Sequence, residues 1–256
     1  MRLFPVEGET WVVAHRGVSA RVPENTAAAF ELAIGEAADA VECDLRLTAD
    51  DRVLIVHDAA LDHYGHPGVR VRDTSSAEMT RLDAGSWFGP EFAGERFLSL
   101  ESLLDQFGGR LPLYLELKSG GLDEAGKRRL VEVVVRALER RTLERAVAML
   151  AFEPDVLCCL RRAAEWATLV LNVDEPQTLL TADTGRVPTL AGVDTNIDRL
   201  TEADADWIAG RGLVRLAYTC NTPEQISKAR RLGVQALITD DPRRTRGSLR
   251  GTKATS

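Results

Sequence analysis

The sequence lacks several features that mark thiolate-metal, membrane and nucleic-acid-binding proteins. It has four cysteines in 256 residues, and none forms the Cys-x-x-Cys pair typical of many metal sites. No apolar run approaches the roughly 20 residues that span a bilayer, and the first residues lack the basic and apolar regions of a signal peptide. The net charge of -7 argues against broad nucleic-acid binding, which needs a positive surface. We therefore expect a cytoplasmic protein without an integral membrane segment, whose thiols are buried and reduced.

The length and composition are those of one ordinary globular domain. Charged residues make up 28% of the chain and hydrophobic residues 45%, which is typical of soluble proteins. A chain of this length suffices for one α/β barrel. The last residues are basic and lack an apolar period. We predict one domain over residues 1–246 and a mobile tail over residues 247–256.

Apolar strands alternate with helical segments along most of the chain. After the first strand, residues 26–36 carry an apolar stripe at helical spacing, and the next strand follows directly. Eight such strands begin near Trp11, Asp39, Leu113, Val147, Thr168, Gly192, Val214 and Gln235. Eight parallel strands with intervening helices make up a TIM (β/α)8 barrel, which is the fold that we predict.

One further apolar run, Val53–Val56, does not fit the barrel. Only the short turn Ala49–Arg52 separates it from the preceding strand, whereas a parallel crossover needs about a dozen residues. The run must therefore return antiparallel as a hairpin, with His57 at its end. Residues 59–110 then lack a βα rhythm, and segments of this length are usually functional or structured in their own right. We predict a small insertion there.

Chemically active side chains follow the strands at the end where barrel enzymes place their sites. They are His15 and Arg16 after the first strand, Glu42 and Asp44 on the second, Glu116 and Lys118 on the third barrel strand, and His57 on the hairpin. Because side chains alternate along a strand, residues two apart share a face. We therefore expect the carboxylates to face the barrel interior together.

The carboxylates Glu42, Asp44 and Glu116 predict a site for one hard divalent cation. Such groups raise one another's pKa unless a cation compensates them, and an oxygen-only ligand set favours Mg²⁺ or Ca²⁺. A salt-bridge network with Arg16 and Lys118 is the alternative. A cation beside these basic residues would suit a phosphodiester, on which negative charge builds up during displacement. Two histidines can then transfer the protons that cleavage requires.

A series of short motifs spans almost the whole chain. HRG, PENT, AF, VE-x-D, T-x-DD and VHD follow one another up to Asp58, and LDAGSWFGPEFAGERFLSLESLLDQF, LYLELK and LITDDP come later. In content and order, these motifs resemble those of the glycerophosphodiester phosphodiesterase family.

The resemblance implies a role for each of these residues. His15 and His57 match the family's catalytic histidines, Arg16 and Lys118 its phosphate-contacting residues, and Glu42, Asp44 and Glu116 its metal ligands. It implies an enzyme that uses one divalent cation to hydrolyse glycerophosphodiesters, as small-molecule substrates, to an alcohol and sn-glycerol 3-phosphate. Our hypothesis is that His57 protonates the leaving alcohol and His15 activates the attacking oxygen. The reverse assignment stays open, as does the choice between water and a substrate hydroxyl as nucleophile.

The resemblance also indicates where the alcohol would be bound. In the family, the region after the hairpin is a small insertion beside the barrel, which implies a lid or wall for the substrate. Trp87 and Phe88 are candidates to line the pocket there. Phe152, Tyr218 and Asn221 are further candidates, in segments that depart from the family pattern. These departures bear on the choice of alcohol more than on the reaction.

Three other functions stay open at this point. A lysophospholipase D acting on single-tailed phospholipids would want an apolar groove beside the insertion. A non-catalytic phosphate-ligand-binding barrel is possible in principle, although a binder has no use for two proton-transferring histidines. A glycosidase that uses a carboxylate pair would need no metal.

Overall fold

The computed structural model describes residues 1–180 and 188–251, and ten strands form one sheet within them. Their bounds are β1 (Trp11–His15), β2 (Ala40–Leu47), β3 (Val53–Ile55), β4 (Leu98–Ser99), β5 (Leu113–Leu117), β6 (Val147–Ala151), β7 (Leu169–Val173), β8 (Gly192–Asn196), β9 (Val214–Tyr218) and β10 (Ala236–Thr239). Eight strands run parallel in the order β1, β10, β9, β8, β7, β6, β5 and β2, and pairing of β1 with β2 closes the barrel. The predicted TIM barrel is confirmed.

Helices connect or follow the strands of the barrel. The described residues form α1 (Ala27–Gly35), α2 (Ser76–Met79), α3 (Leu100–Phe107), α4 (Glu124–Glu139), α5 (Pro154–Ala163), α6 (Glu202–Ala209), α7 (Pro223–Arg231) and α8 (Pro242–Gly251). Thr26, Asp123 and Thr222 each cap a helix by accepting a hydrogen bond from a backbone N–H of the first turn. None of the described helices is long and apolar enough to cross a membrane.

Two apolar layers stabilise the barrel. In the outer layer, strands pack against helices, and the rings of Phe30 and Phe107 meet at a centroid distance of 5.4 Å. Inside the barrel, a second cluster includes Val13, Tyr114 and Leu216. This inner cluster packs mainly the N-terminal parts of the strands. It leaves the C-terminal end of the barrel to polar residues, as in other TIM barrels.

The segment after β2 forms a hairpin and an insertion. β3 pairs antiparallel with β2, as the short turn between them requires, and β4 adds antiparallel to β3. The backbone N–H of Val56 donates to the carbonyl of Asp44 at 2.9 Å. His57 therefore begins beside the C-terminal half of β2. The insertion packs its own apolar cluster, which includes Leu61, Tyr64, Met79 and Phe97.

The two ends of the chain bear on the predicted domain limits. Near the N-terminus, the carbonyl of Leu3 accepts a hydrogen bond from the Tyr114 hydroxyl at 2.6 Å, which ties this segment to the barrel interior. Helix α8 continues to Gly251, so the first half of the predicted tail is helical. The other half, residues 252–256, lies outside the described residues. The limit at residue 246 stays a prediction.

Candidate active site

A cavity of about 220 Å³ opens at the C-terminal end of the barrel. The predicted residues His15, Arg16, Glu42, His57, Glu116 and Lys118 all line it, together with Leu150, Phe152, Asn172, Asp194, Tyr218, Thr219 and Ile238. Asp44 lies directly beside them, in ion pairs with Arg16 and Lys118. Residues far apart in sequence thus meet because neighbouring strands of a closed barrel end at the same rim.

The turn after β1 directs His15 and Arg16 toward this cavity. Arg16 has a φ of 56° and Gly17 a φ of 81°, a region that favours glycine. A Cβ atom on Gly17 would lie 2.5 Å from the Cβ of Ala29 on α1. Only glycine therefore allows this turn to pack closely on the helix. The Asn25 backbone N–H donates to the Arg16 carbonyl at 2.9 Å and holds the turn from the other side.

The three predicted ligand carboxylates form one buried cluster. Glu42 and Asp44 share a face of β2, and Glu116 is the register partner of Asp44 on β5. One oxygen of each carboxylate lies within 4.8 Å of the others. All three residues are at most 7% exposed. This cluster could hold a metal ion.

The charges of the cluster are compensated unevenly. Burial raises the pKa of Glu42 well above its usual value, and the charges of Asp44 and Glu116 add to this. Burial and Asp44 likewise raise the pKa of Glu116. For Asp44 burial acts in the same direction, but Lys118 and then Arg16 outweigh it and hold the pKa of that carboxyl well below its usual range. Lys118 and Arg16 therefore do not compensate all of the negative charge that the three carboxylates would carry when ionised.

Arg16 and Lys118 are held by the acidic residues around them. Lys118 Nζ lies 3.1 Å from Asp44 Oδ1 and 2.5 Å from Glu116 Oε1, and Arg16 donates to Glu24 Oε2 at 2.8 Å. Burial lowers the pKa of both basic groups, but the charge of Asp44 and those of the other neighbouring carboxylates together outweigh it and raise both pKa values. The predicted salt-bridge network thus exists, yet Glu42 Oε1 has no hydrogen-bond partner among the described residues. A buried oxygen without a hydrogen-bond partner is suited to bind a cation.

Each histidine at the cavity is held by a carboxylate at Nδ1. His15 Nδ1 lies 2.6 Å from Asp240 Oδ1, and His57 Nδ1 lies 2.7 Å from Asp58 Oδ1. Burial lowers the pKa of His57 and outweighs the opposing charge of Asp44. With a carboxylate at Nδ1, the proton of a neutral imidazole is held there and Nε2 is left as the proton acceptor. His15 Nε2 lies 3.9 Å from Glu42 Oε2, on the side of the acidic cluster.

The predicted pocket residues fall into two groups. Phe152 and Tyr218 line the cavity, with their ring centroids 6.1 Å apart. Trp87 and Phe88 are not among the lining residues. Their rings lie 5.5 Å apart in the insertion, where Trp87 Nε1 donates to the carbonyl of Ala84.

Asn221 lies behind the cavity wall, where its role is to hold another side chain. Its Nδ2 donates to Asp240 Oδ2 at 2.6 Å, and its Oδ1 accepts from the backbone N–H of Asp240. It therefore fixes the carboxylate that contacts His15. Asp240 directly follows the last barrel strand, a position that makes it a candidate site residue without identifying His15 as its partner.

Asn172 and Asp194 are site residues that sequence reasoning did not single out. Asn172 lies in β7, next to the end of that strand, and Asp194 lies inside β8. They are register partners on β7 and β8, and both are buried and line the cavity. A strict count of alternate inward positions along β8 would have been the signal for Asp194.

Comparisons with known proteins agree with this geometry. The model of the glycerophosphoryl diester phosphodiesterase family matches residues 15–244. YhdW of Bacillus subtilis (strain 168) is 30% identical over 243 residues, which cover 91% of this chain and 95% of that protein. The glycerophosphodiester phosphodiesterase of Caldanaerobacter subterraneus subsp. tengcongensis is 30% identical over 241 residues, with the same coverage of 91% and 95%.

A solved structure is similar over nearly the full length. It is the Oleispira antarctica phosphodiesterase OLEI02445 in complex with the product sn-glycerol-3-phosphate, with a TM-score of 0.83, 25% identity, and coverage of 96% of this chain and 97% of that chain. The family match includes both histidines, both basic residues and all three clustered carboxylates. As the order of its motifs predicted, the chain belongs to the glycerophosphoryl diester phosphodiesterase family, a family of phosphoric diester hydrolases.

Proposed function

We propose that this protein is a metal-dependent glycerophosphodiester phosphodiesterase that releases an alcohol and sn-glycerol 3-phosphate. The observation that carries the proposal is the convergence of His15, His57, Arg16, Lys118 and the acidic cluster on one cavity. The product bound to the Oleispira antarctica protein is consistent with this substrate class. The proposal includes a cytoplasmic location, in keeping with four cysteines that form no disulfide in the part of the chain that the structure describes.

Glu42, Asp44 and Glu116 would hold the divalent cation. Their oxygen-only donor set suits Mg²⁺ or Ca²⁺, and the unpartnered Glu42 Oε1 offers a ligand position. When bound, such an ion would stabilise the negative charge that develops on the phosphoryl oxygens. The cluster has no thiolate and no histidine within it, which argues against a soft transition metal as the resident ion.

Arg16 and Lys118 would bind the phosphoryl group. Both line the cavity, and both stay protonated because the charge of Asp44 favours their cationic forms. Each is also fixed by an ion pair, Arg16 with Glu24 and Lys118 with Glu116. Because these contacts orient the cations before substrate arrives, little reorganisation is needed when charge develops in the transition state.

The two histidines would move the protons. We assign to His57 the protonation of the leaving alcohol oxygen and to His15 the removal of a proton from the attacking oxygen. With Asp240 at Nδ1, His15 can present a basic Nε2. Asp58 holds the His57 ring in the same way and would stabilise its protonated form before the proton is donated.

The reaction is tested with glycerophosphocholine as substrate. His15→Ala and His57→Ala should each lower kcat at least about 100-fold, as expected for loss of general acid or base catalysis. His63→Ala is the matched control, because His63 is exposed on the insertion and packs against Trp87. Unchanged rates in the first two variants would refute the two-histidine mechanism, whereas absence of turnover in wild type would favour a binding protein.

Further arms of the same assay test the histidine roles, the nucleophile and the substrate. A diester with a p-nitrophenol leaving group needs no protonation on departure, so it should restore turnover to the His57→Ala variant and not to the His15→Ala variant. The opposite pattern would reverse the two roles.

Phosphorus NMR would reveal a cyclic phosphate if a substrate hydroxyl attacks. Faster turnover of lysophosphatidylcholine than of glycerophosphocholine would favour the lysophospholipase D alternative, and full activity in chelator would favour a metal-independent hydrolase.

A further inference from the structure

The cavity has a polar wall that the proposed mechanism does not use. It consists of Asn172 on β7, Asp194 on β8 and Tyr218 on β9, and we call these three residues the polar wall. In the closed barrel, β8 is four strands away from β2 in either direction. The polar wall therefore lies across the cavity from the carboxylates of β2.

The polar wall consists of buried groups without partners. Asn172 is 3% exposed and Asp194 is 2% exposed. Among the residues that the structure describes, Asn172 Oδ1, Asp194 Oδ1 and the Tyr218 hydroxyl have no hydrogen-bond partner. Buried polar atoms are normally paired, and an orphan loses stability unless something else binds it. Leu150 and Ile238 line the same cavity with apolar side chains, so the polar groups are not a general property of its surface.

The register of the strands places these groups close together. Asn172 and Asp194 are direct partners between β7 and β8. Tyr218 pairs with Asn196, two residues beyond Asp194 on the same face of β8. Two acceptor oxygens therefore lie at one level of the barrel, with a hydroxyl at the next level toward the mouth.

We propose that the polar wall binds the hydroxyl groups of the substrate's glycerol moiety and selects for substrates that carry them. The inference rests on the proposed function, which places a phosphoryl group at Arg16 and Lys118. A hydroxyl group both donates and accepts hydrogen bonds, so two hydroxyls on adjacent carbons can satisfy the acceptors and the phenol of this wall. Burial raises the pKa of Asp194 well above its usual range, and Glu116 adds to this, so its acid form can also donate.

A cationic head group is a less suitable ligand for this wall. Asn172 Oδ1 and the Tyr218 hydroxyl are neutral, and a quaternary ammonium group has no proton to donate to them. A site built to bind hydroxyls instead strongly rejects an analogue that lacks them, because the buried polar groups are then left unpaired.

The test compares two phosphate monoesters that differ only in these hydroxyls. sn-Glycerol 3-phosphate and propyl phosphate are titrated into the protein in the presence of Mg²⁺, with binding followed by calorimetry and by inhibition of glycerophosphocholine turnover. Wild type should bind glycerol phosphate on the order of 100-fold more tightly than propyl phosphate. Asn172→Leu and Tyr218→Phe should each reduce that ratio at least about fivefold, while the affinity for propyl phosphate stays within about threefold of wild type.

The control variant is Asn196→Leu on the same strand as Asp194. The Asn196 side chain donates to Asp174, and Asn196 is not among the residues lining the cavity, so the ratio should stay at the wild-type value. Tyr218→Phe removes a single hydroxyl and retains the ring, which keeps the test valid if Asn172→Leu fails to fold.

An unchanged affinity ratio in Tyr218→Phe and Asn172→Leu, or an equal loss of affinity for both ligands, would overturn the inference. Absence of turnover in wild type would refute the proposed function alone, because the calorimetric ratio does not depend on catalysis.

Discussion

At the scale of single residues, the proposed proton-transfer groups depend on the carboxylates that hold them. Asp240 accepts hydrogen bonds from His15 Nδ1 and from Asn221 Nδ2, both at 2.6 Å. Burial raises the pKa of Asp240, but its contacts with His15, Asn221 and Ser19 together outweigh burial, so the pKa lies below its usual value. An ionised Asp240 keeps the proton of His15 on Nδ1. This leaves Nε2 as the base.

We predict that Asp240→Asn lowers kcat by about 100-fold or more. The amide can offer an N–H to His15 and so favour the wrong imidazole tautomer, as in the Ser-His-Asp triad. KM should change less than about threefold, since phosphate binding is assigned to other residues. Asp241→Asn is the control, because its carboxylate accepts from the Arg244 backbone N–H and does not contact His15. A rise in KM with kcat preserved would contradict the positioning role.

Residue types at strand ends were predictable from the sequence, but their partners were not. His15 and Glu42 follow or interrupt apolar runs, which marks them as exceptional. Asp240 meets His15 across 225 positions, and only the neighbouring places of β1 and β10 in the closed barrel bring them together. The position of the Trp87 side chain was also not predictable, because an aromatic residue on an insertion can equally pack there or line a pocket.

At the scale of structural elements, the insertion is connected to Arg16, one of the two residues proposed to bind phosphate. The Tyr64 hydroxyl donates to Glu24 Oε1 at 2.6 Å, and Glu24 Oε2 accepts from Arg16 at 2.8 Å. Tyr64 itself belongs to the apolar cluster of the insertion. The insertion therefore helps to orient Arg16 through Glu24.

We predict that Tyr64→Phe raises KM for glycerophosphocholine about three- to tenfold while kcat falls less than about threefold. The net loss of one ordinary hydrogen bond, about 0.5–1.5 kcal/mol, is on this scale, and here it loosens Glu24 without removing Arg16. Tyr114→Phe is the control, because its hydroxyl is bonded to Leu3, away from Arg16. Steady-state kinetics of both variants would decide, and an unchanged KM for Tyr64→Phe would rule out this connection.

The β2–β3 hairpin holds α2 through a carboxylate. Asp50 accepts hydrogen bonds from the Thr48 hydroxyl at 2.6 Å and from the Ser76 backbone N–H at 2.9 Å. Burial acts against ionisation, but these bonds outweigh it and lower the pKa of Asp50 to about 2. An aspartate in an unfolded chain has a pKa of about 3.9. Ionised Asp50 therefore stabilises the fold above that value, and its contribution is lost as the pH falls toward 2.

We predict that Asp50→Asn destabilises the protein at pH 7 and that the difference from wild type shrinks as the pH falls from about 5 to 3. Urea unfolding of both proteins across this pH range would measure it. Because Asp50 is exposed, the effect should be small, below about 1 kcal/mol. A difference that grows on acidification would contradict the assigned sign.

The strands and helices of the barrel were predictable closely, and the interior of the insertion was not. Hydrophobic period and caps mark the barrel elements, so that the helix predicted over residues 26–36 agrees with α1 within one residue at each end. In the insertion, side-chain contacts to the backbone determine the path instead. Asp83, for example, accepts hydrogen bonds from the backbone N–H groups of Gly85, Ser86 and Gly94. Such contacts leave no period in the sequence.

At the scale of the whole molecule, the acidic cluster concentrates like charges inside the barrel. Burying charged groups costs stability unless they are paired, and burial raises the pKa of both Glu42 and Glu116. The fold supports this cluster because two apolar layers surround it. Stability and function therefore oppose each other at these positions, as is common at active sites.

We predict that Glu42→Gln raises the Tm of the chelator-treated protein and abolishes activity. Removing one buried charge relieves repulsion with Asp44 and Glu116, while one cation ligand is lost. Thermal unfolding in chelator and with added Mg²⁺ would measure both effects, since a ligand at 100 times its Kd stabilises a protein by about 2.7 kcal/mol. Wild type should gain Tm with the cation, and the variant should gain little. Glu36→Gln, on the surface with its carboxylate paired to Arg21, should respond to the cation as wild type does.

The global fold was predictable because barrel closure follows from repetition. Eight strand-helix alternations in a chain of this length have few solutions, and family motifs at both ends agreed with that count. The sequence reveals less about how the whole fold shapes the site. The polar wall of the cavity combines residues from β7, β8 and β9, and each of these strands gives only a weak signal in the sequence. Asp194 belongs to this polar wall and was not predicted for that reason.

The central claim is that the buried carboxylates hold one divalent cation beside the two histidines. Calorimetric titration of chelator-treated protein with Mg²⁺ or Ca²⁺ tests it most directly. The account predicts one cation per chain for wild type and for His57→Ala, and no binding at that site for Asp44→Asn or Glu116→Gln, with turnover of glycerophosphocholine rising as the site fills. Undiminished cation binding in both carboxylate variants, or full turnover by wild type without any bound cation, would contradict it.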